Sequence, residues 1–213
     1  MSATNGPEPA TDAEMAAWIG AAMRDVDRFS AVRESSDAHR LVHGCELYPS
    51  AEGPLLGVLA RASNALRAIE LGCGLGYSAL WLASGLGDSG IVDTVEVDSS
   101  HVELAMGFVR DAGMAGRVRV LTGASIDILP SLSVPYDLAF FDGDLDDCLQ
   151  DLDQLERLVR PGGLLISSNL FLGRYVPDAP WLEKATEYRL RLLDSGVWQT
   201  AFLPGGKALS VRL

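Results

Sequence analysis

The sequence predicts an α/β protein with a doubly wound, mostly parallel sheet that closes with a C-terminal antiparallel β-hairpin. Three observations predict this fold. Short apolar segments alternate with helical periods from residue 67 onwards, and the apolar segment at 67–71 runs directly into a glycine-rich turn. Near the C terminus, strand-like segments at 198–203 and 208–213 flank a Pro-Gly-Gly-Lys sequence. Alternating strands and helices favour a parallel sheet with right-handed crossovers, and a Gly-Gly turn between two strands is typical of a hairpin.

The individual elements follow from these periods. We expect strands at 67–71, 91–97, 117–122, 136–142 and 162–168, and helices at 77–85, 99–112, 124–132, 146–159 and 178–195. The strands are largely apolar rather than alternating, as in a parallel sheet that is covered by helices on both faces.

The N-terminal region precedes the first of these strands. Residues 1–10 are expected to form a flexible polar tail. Thr11 and Glu14 have the spacing of a capping box, and apolar residues then recur at helical spacing as far as Phe29. Residues 33–44 are polar and have no clear period, whereas 53–62 predict a short apolar helix. We therefore expect one domain, in which helices within 11–66 form a dimer or lid segment beside a ligand-binding core at 67–213.

Composition limits the class of protein. The chain has 213 residues and a net charge of −12, which disfavours binding to nucleic-acid phosphates. No apolar run approaches the roughly 18 residues that a membrane span needs, and the N terminus lacks a signal-peptide pattern, so no membrane partner is expected. The three cysteines have no metal-ligand spacing, and so sparse a set fits the reducing cytoplasm.

The glycine-rich turn is the main sign of a bound ligand. In open α/β sheets, ligands bind beyond the carboxyl ends of the strands. The glycines fall at 72, 74 and 76, whereas NAD-binding turns prefer G-x-G-x-x-G. Glu70 precedes them, and its negative charge suits a cationic ligand better than a pyrophosphate. An NAD-dependent oxidoreductase is therefore a less favoured alternative.

The other strand ends also carry informative residues. Glu96 ends the second strand, about 20 residues past the turn, where an acidic side chain can accept hydrogen bonds from ribose hydroxyls. Gly123 follows the third strand. Asp142 ends the fourth strand and Asn169 follows the fifth.

Together these segments resemble a known family. They are similar to the catechol and caffeoyl-CoA O-methyltransferases, especially the small bacterial members. The similar segments are Glu-Leu-Gly-Cys-Gly-Leu-Gly-Tyr-Ser at 70–78, Glu96, Gly-Ala-Ser at 123–125 with Asp-Ile-Leu-Pro at 127–130, and Tyr-Asp-Leu-Ala-Phe-Phe-Asp at 136–142. The resemblance covers residues 45–213. It implies a class I methyltransferase, Rossmann-like fold and transfer of a methyl group from S-adenosyl-L-methionine to the hydroxyl of a small molecule such as a catechol or phenol.

The resemblance also implies a set of cofactor-binding residues. Glu70, Gly72 and Ser78 would hold the methionine end, Glu96 the ribose, and Ala124 and Ser125 the adenine, with Asp142 near the methyl group. The full set expected to bind the cofactor is Glu70, Gly72, Gly74, Gly76, Tyr77, Ser78, Glu96, Val97, Gly123, Ala124, Ser125 and Asp142.

The sequence departs from this family on the acceptor side. The family's metal site has an Asp after the fourth strand and an Asp-Asn pair after the fifth. Asp142 and Asn169 match it, but Ser168 replaces the middle carboxylate. Leu145 stands where the family has its catalytic Lys. We therefore expect an incomplete site at Asp142 and Asn169 that binds Mg²⁺ weakly or not at all.

The missing lysine leaves the general base open. Asp142 and His43 are the predicted catalytic residues. His43 is a candidate for the base because the pKa of an unperturbed His suits proton abstraction at neutral pH. His101 is expected to face solvent. Three interpretations remain: weak Mg²⁺ binding with help from Asp144 or Asp146, metal-independent transfer with another base, or an acceptor unlike a catechol. A non-catalytic S-adenosylmethionine-binding protein is the main alternative function, and a homodimer through the leading helices is expected.

Overall fold

The computed structural model describes residues 9–49, 53–193 and 196–213. The predicted tail at 1–10 therefore lies almost entirely outside the described residues. The helices are α1 (Asp12–Asp25), α2 (Ser30–His43), α3 (Gly53–Ala62), α4 (Tyr77–Gly85), α5 (Ser99–Asp111), α6 (Ser125–Ile128), α7 (Cys148–Leu158) and α8 (Leu182–Leu192). The strands are β1 (Arg67–Leu71), β2 (Ile91–Glu96), β3 (Val118–Thr122), β4 (Tyr136–Phe141), β5 (Val159–Ser167), β6 (Trp198–Phe202) and β7 (Ala208–Arg212).

The strands form one sheet in the order β3-β2-β1-β4-β5-β7-β6. The pairs among β1 to β5 are parallel, and β7 joins the sheet antiparallel to both β5 and β6. The predicted doubly wound sheet with a C-terminal hairpin is thus confirmed. Strand order reverses between β1 and β4, so the carboxyl ends of these two strands form the switch point at which open α/β sheets bind ligands.

Helices bury both faces of the sheet. Tyr136, Phe141 and Tyr188 belong to the cluster between the sheet and helices α7 and α8, while Leu56 and Leu82 belong to the cluster beneath α3 and α4. Burying a large apolar side chain contributes roughly 1.5–3 kcal/mol. The near-continuous apolar character of the strands is explained by this burial on both faces.

The N-terminal helices are tied to this core by one buried carboxylate. Asp27, which lies between α1 and α2, accepts hydrogen bonds from the Tyr77 hydroxyl at 2.9 Å and the Trp81 indole at 3.3 Å, and it pairs with Arg33 at 2.9 Å. The predicted capping box of α1 is confirmed, because the Thr11 hydroxyl accepts from the Glu14 amide while the Glu14 side chain accepts from the Thr11 amide.

Several element boundaries differ from the prediction. Helix α2 was not predicted, because most of its residues are polar and just two of them, Val32 and Ser36, are buried. Helix α8 begins at Leu182 rather than 178, since Pro180 disfavours helical geometry in the residue before it. Helix α6 gives way to a short 3₁₀ turn at Leu129–Ser131, where Pro130 has no amide to continue the α-helical pattern. Residues 194 and 195 of the predicted last helix lie outside the described residues.

Within the described ranges, none of the helices combines the length and the apolar character that crossing a bilayer requires.

Candidate functional site

The glycine-rich turn connects β1 to α4 at the switch point. Gly72, Gly74 and Gly76 all have positive φ angles, of 91°, 52° and 90°. A Cβ on Gly72 would lie 2.5 Å from the carbonyl oxygen of Asp142, so only glycine lets the turn approach the end of β4 so closely. A Cβ on Gly74 would meet the Leu47 side chain, also at 2.5 Å. These positions form a backbone cradle that a side chain would fill.

Glu70 lies buried near the end of β1 and has an exposed fraction of 0%. The Thr94 hydroxyl donates to Oε2 at 2.5 Å, whereas Oε1 is buried with no hydrogen-bond partner among the described residues. Desolvation raises the pKa of Glu70 to about 8, although the hydroxyls of Ser78 and Thr94 oppose the shift. A buried carboxyl with an unused oxygen is stabilised by a ligand that brings a positive charge or a hydrogen-bond donor.

Glu96 ends β2, and backbone amides hold its carboxylate in place. Gly74 donates to Oε2 at 2.7 Å and Asp98 donates to Oε1 at 3.0 Å. The glycine turn and the first residues after β2 therefore fix the same side chain. Each carboxylate oxygen can accept more than one hydrogen bond, so both retain capacity for the hydroxyls of a ribose.

Four further residues expected to bind the cofactor lie at the ends of the neighbouring strands, and Ala124 and Ser125 are the two predicted to border adenine. Val97 is 71% exposed, which leaves an apolar surface beside Glu96 for a flat ring. Gly123 has a φ of 146° and donates its amide to the Glu96 carbonyl at 2.9 Å, while Ala124 caps α6. Ser125 turns its hydroxyl to the buried Asp151 of α7 at 2.9 Å.

Asp142 follows β4 on the acceptor side of the switch point. The Asn169 side-chain amide donates to its Oδ1 at 2.6 Å, and Ser168 is buried beside it with its own amide bonded to the Phe141 carbonyl. Desolvation raises the pKa of Asp142 to about 6. A carboxyl with this pKa changes protonation state close to neutral pH, which suits a general base.

Lys207 is a residue of this site that sequence reasoning missed. It lies in the β6–β7 turn, and the pairing of Ser167 with Ala208 brings it opposite Ser168. Its positive charge opposes the desolvation of Asp142 and lowers the pKa of that carboxyl. The β5–β7 register could have revealed it, but nothing in the residues around 207 does so. Leu145, at the family's lysine position, instead packs in the core and is 5% exposed.

The donors around Asp142 do not fit the Mg²⁺ site that the resemblance implies. Mg²⁺ prefers several oxygen ligands and more than one negative charge. Here the neutral Ser168 replaces one carboxylate, the Asn169 amide nitrogen faces Asp142, and the Lys207 cation acts on the same carboxyl. The expectation of a weak or absent metal site is consistent with this donor set.

Two predicted site residues have other contacts, and one prediction is wrong. The Tyr77 hydroxyl bonds Asp27 rather than turning towards the glycine turn. His43 stacks on His39 with ring centroids 4.3 Å apart, and His39 contacts His101. His43 therefore lies on the Glu96 side of the site, and its predicted catalytic role stays a prediction. His101 does not face solvent, because it packs under His39 and next to Glu96 and is only 8% exposed.

A cavity of about 440 Å³ opens beside the hairpin turn and the loop after β5. Phe171 and Phe202 line it, with ring centroids 5.7 Å apart and an edge-to-face geometry. Arg174 and Arg189 also line it, and the Arg189 guanidinium lies over the Phe171 ring. Gly206 belongs to the same wall, so the cavity extends to the neighbour of Lys207.

The fold and the strand-end residues define a Rossmann-like protein with a nucleotide-type ligand site. The family model described as O-methyltransferase matches residues 30–193. The chain therefore belongs to the O-methyltransferase family.

Individual relatives agree with this assignment. A catechol O-methyltransferase of Mycobacterium tuberculosis is 37% identical over 57% of this chain and 56% of its own length, and one of Niastella koreensis is 34% identical over 64% and 63%. The matches thus span about three fifths of these curated relatives. The O-methyltransferase TomG of Streptomyces achromogenes, solved in complex with SAM, is 31% identical, with a TM-score of 0.74 over 85% of this chain and 89% of that structure.

Proposed function

We propose that this chain is an S-adenosyl-L-methionine-dependent O-methyltransferase that acts on the hydroxyl of a small catechol-like or phenol-like molecule. The observation that carries the proposal is the convergence of Glu70, Glu96 and Asp142 around one glycine cradle at the sheet's switch point. Glu96 and Asp142 add negative charge to this edge, and a bound cation would favour the ionised form of Glu70, whose pKa burial raises to about 8, so the site favours a cationic ligand over a dinucleotide. Family membership and the SAM-bound relative support the same choice.

The cofactor residues would divide the ligand between them. S-adenosylmethionine supplies an electrophilic methyl group on a positively charged sulfur. Glu96 would receive the ribose hydroxyls, because two backbone amides already fix its orientation. Glu70 would stabilise the ammonium group of the methionine end through its unused oxygen. Val97, Gly123, Ala124 and Ser125 would border the adenine, and the turn from Gly72 to Ser78 would hold the methionine part.

The acceptor would occupy the cavity beside the hairpin turn. Its volume of about 440 Å³ suits a compound of one or two rings. Phe171 and Phe202 offer aromatic faces and edges for a planar molecule, on which rings pack favourably. Gly206, which lines this cavity, precedes Lys207, whose charge acts on Asp142. In this proposal the acceptor hydroxyl is turned from the cavity towards Asp142.

Asp142 would accept the proton of the acceptor hydroxyl. Its pKa of about 6 leaves it ionised and basic at neutral pH. Lys207 would then stabilise the oxyanion that develops on the acceptor, in the part of the site where the family uses a metal and a lysine. The remaining acceleration would come from holding donor and acceptor in line. None of these roles requires the Mg²⁺ that the donor set fits poorly.

The test begins with binding. Calorimetric titration with S-adenosylhomocysteine should give one saturable site, and NADH should give none. The reverse result would support the oxidoreductase alternative and contradict this proposal.

Turnover is then measured with labelled S-adenosylmethionine and a panel of catechols and phenols, at saturating cofactor, with and without EDTA. We expect methylated product whose rate is unchanged by EDTA. Binding without turnover on any acceptor would favour the non-catalytic alternative. A rate that EDTA abolishes and Mg²⁺ restores would contradict the metal-independent mechanism.

We further propose a homodimer through the N-terminal helices and a cytoplasmic location. The apolar side chains of Met15, Trp18 and Ile19 on α1 are 48%, 39% and 48% exposed, which suits burial against a second copy. All three cysteines are free thiols, as expected in a reducing compartment. Sedimentation equilibrium tests the dimer, and Trp18→Glu should shift it to monomer. The net charge of −12 argues against a nucleic-acid partner.

A further inference from the structure

All three histidines of the chain meet at one place beside the end of β2. His39 and His43 lie on the last turns of α2, and their rings stack at 4.3 Å. His101 lies in the first turn of α5 and meets the His39 ring edge-on at 5.1 Å. Cys45, in the loop after α2, joins them. Three separate segments of the chain therefore bring three imidazoles and a thiol together.

The geometry of this group is that of a metal site. One ligand atom from each of His39, Cys45 and His101 lies within 4.8 Å of the other two. Zinc binds imidazole nitrogen at about 2.0–2.1 Å and thiolate sulfur at about 2.3 Å, so tetrahedral ligand atoms lie roughly 3.3–3.6 Å apart. Side-chain movements of about 1 Å would close the group around an ion. His39 and Cys45 are partly buried and His101 is buried, so the site is partly shielded from water.

We propose that His39, Cys45 and His101 bind a zinc ion, with water at the fourth position. Two imidazoles and a thiolate select a borderline-soft metal such as zinc over Mg²⁺ or Ca²⁺, which prefer oxygen ligands. The site is therefore different in both place and chemistry from the family's oxygen-ligand position at Asp142 and Asn169. The matching of soft ligands to zinc is the reason to name this metal.

The surroundings of the group support the assignment. The Glu96 and Asp98 carboxylates lie 3.6 Å and 4.0 Å from the two ring nitrogens of His101. Whichever nitrogen binds the metal, the other has a carboxylate beside it, which is the pairing that orients metal-bound histidines.

The position of the site suggests what the metal does. It would join the end of α2 and its following loop to α5, two parts of the chain that contact each other little apart from this group. It would also hold His101 against Glu96, the carboxylate assigned above to the ribose. Zinc should therefore tighten cofactor binding; this consequence alone rests on the proposed function.

The direct test is a titration of the metal-free 213-residue chain with Co²⁺ and Zn²⁺ alone. Cobalt should bind at one equivalent, give a thiolate-to-metal charge-transfer absorption band, and be displaced by zinc. Cys45→Ser should abolish the charge-transfer band, and His39→Ala should weaken zinc binding by about 100-fold or more, since even indirect partners of a metal site cost 10–100-fold. His43→Gln is the matched control, because it removes an exposed imidazole next to the group and should keep one equivalent and the band.

Several results would overturn the proposal. These are no saturable binding at one equivalent, a charge-transfer band that survives in Cys45→Ser, or a loss in His43→Gln as large as that in His39→Ala. Each variant is checked by circular dichroism and thermal melting without metal, so that misfolding is not mistaken for loss of a ligand. Titration with S-adenosylhomocysteine is a separate measurement, and a negative result there would leave the metal assignment intact while contradicting the proposed cofactor.

Discussion

The two halves of the candidate site are built in different ways. On the cofactor side, backbone groups at the ends of β1 and β2 do most of the positioning, as when the Gly74 and Asp98 amides hold Glu96. On the acceptor side, side chains from segments far apart in the sequence meet at Asp142, with Asn169 following β5 and Lys207 in the hairpin turn.

This difference explains which half has kept the family's pattern. A backbone cradle requires glycine at fixed positions, and a Cβ at Gly72 would collide with the Asp142 carbonyl. A group of side chains can instead exchange its members while keeping a similar charge. Relative to the pattern that the resemblance implies, Ser168 and Leu145 replace a carboxylate and a lysine. The positive charge that acts on Asp142 comes instead from Lys207, in the turn between β6 and β7. We therefore expect the cofactor half to tolerate fewer substitutions than the acceptor half.

The largest expected effect tests the acceptor half. Asp142→Asn should lower kcat/KM by about 10²–10⁴-fold, the usual contribution of a general base, with a much smaller change in affinity for S-adenosylhomocysteine. Steady-state kinetics with labelled donor measure the first quantity and calorimetry the second. Asp144→Asn, at an exposed carboxylate two residues away, is the control and should retain activity. Equal losses in both variants would contradict the role given to Asp142.

A smaller effect is expected on the cofactor half. Glu96→Ala should weaken S-adenosylhomocysteine binding by roughly 1.5–3 kcal/mol, the range for hydrogen bonds to a charged group. Glu103→Ala removes an exposed carboxylate from the same region and should leave affinity unchanged. Calorimetric titration compares the two variants, and unchanged affinity in Glu96→Ala would remove the ribose assignment.

Lys207 should affect the pH dependence of the rate, because its charge lowers the pKa of Asp142. The rate should fall as the pH drops below about 6, because Asp142 must be deprotonated to accept a proton. The positive charge of Lys207 lowers the pKa of Asp142, so Lys207→Met should move the acidic limb of the kcat/KM profile to higher pH. Lys207→Arg keeps the charge and should restore the wild-type position. A limb that stays in place in Lys207→Met would show that the two groups are not coupled.

The smallest expected effect comes from restoring the family's residues. Leu145→Lys combined with Ser168→Asp should make turnover respond to Mg²⁺, since it supplies a second carboxylate beside Asp142. Leu145 is nearly buried in the core, so Ser168→Asp alone is tested in parallel in case the lysine disturbs packing. If neither variant gains any Mg²⁺ binding, the acceptor half differs from the family's metal site by more than one missing ligand.

The sequence predicted the fold because the fold depends on local patterns, and the residues proposed for the cofactor half come from the same kind of pattern. Glycine spacing, strand periods and the capping box at Thr11 act over a few residues, and the structure confirms the strands and this cap. Helix α2 escaped prediction because most of its residues are polar and just two of them, Val32 and Ser36, are buried. Helix α8 was extended too far because its apolar period continues through Pro180, which interrupts the helix.

The rest depends on contacts between distant segments. The charge of Lys207 acts on Asp142 because the antiparallel register of β5 and β7 places Lys207 opposite Ser168, and no local sequence pattern specifies this register. Similarly, His39, Cys45 and His101 have no motif spacing, and His101 is buried where it contacts His39 of α2 and Glu96 of β2. The sequence of α5 alone does not reveal these contacts, so it predicts that His101 faces solvent.

The most direct test of the central claim is transfer of a labelled methyl group from S-adenosylmethionine to the hydroxyl of a catechol or phenol by the wild-type chain, with Asp142→Asn and Glu96→Ala run alongside. We predict an O-methylated product from the wild type, almost none from Asp142→Asn, and a raised KM for the cofactor with Glu96→Ala. Methylation that proceeds equally well in both variants, or S-adenosylhomocysteine binding with no transfer to any acceptor, would contradict it.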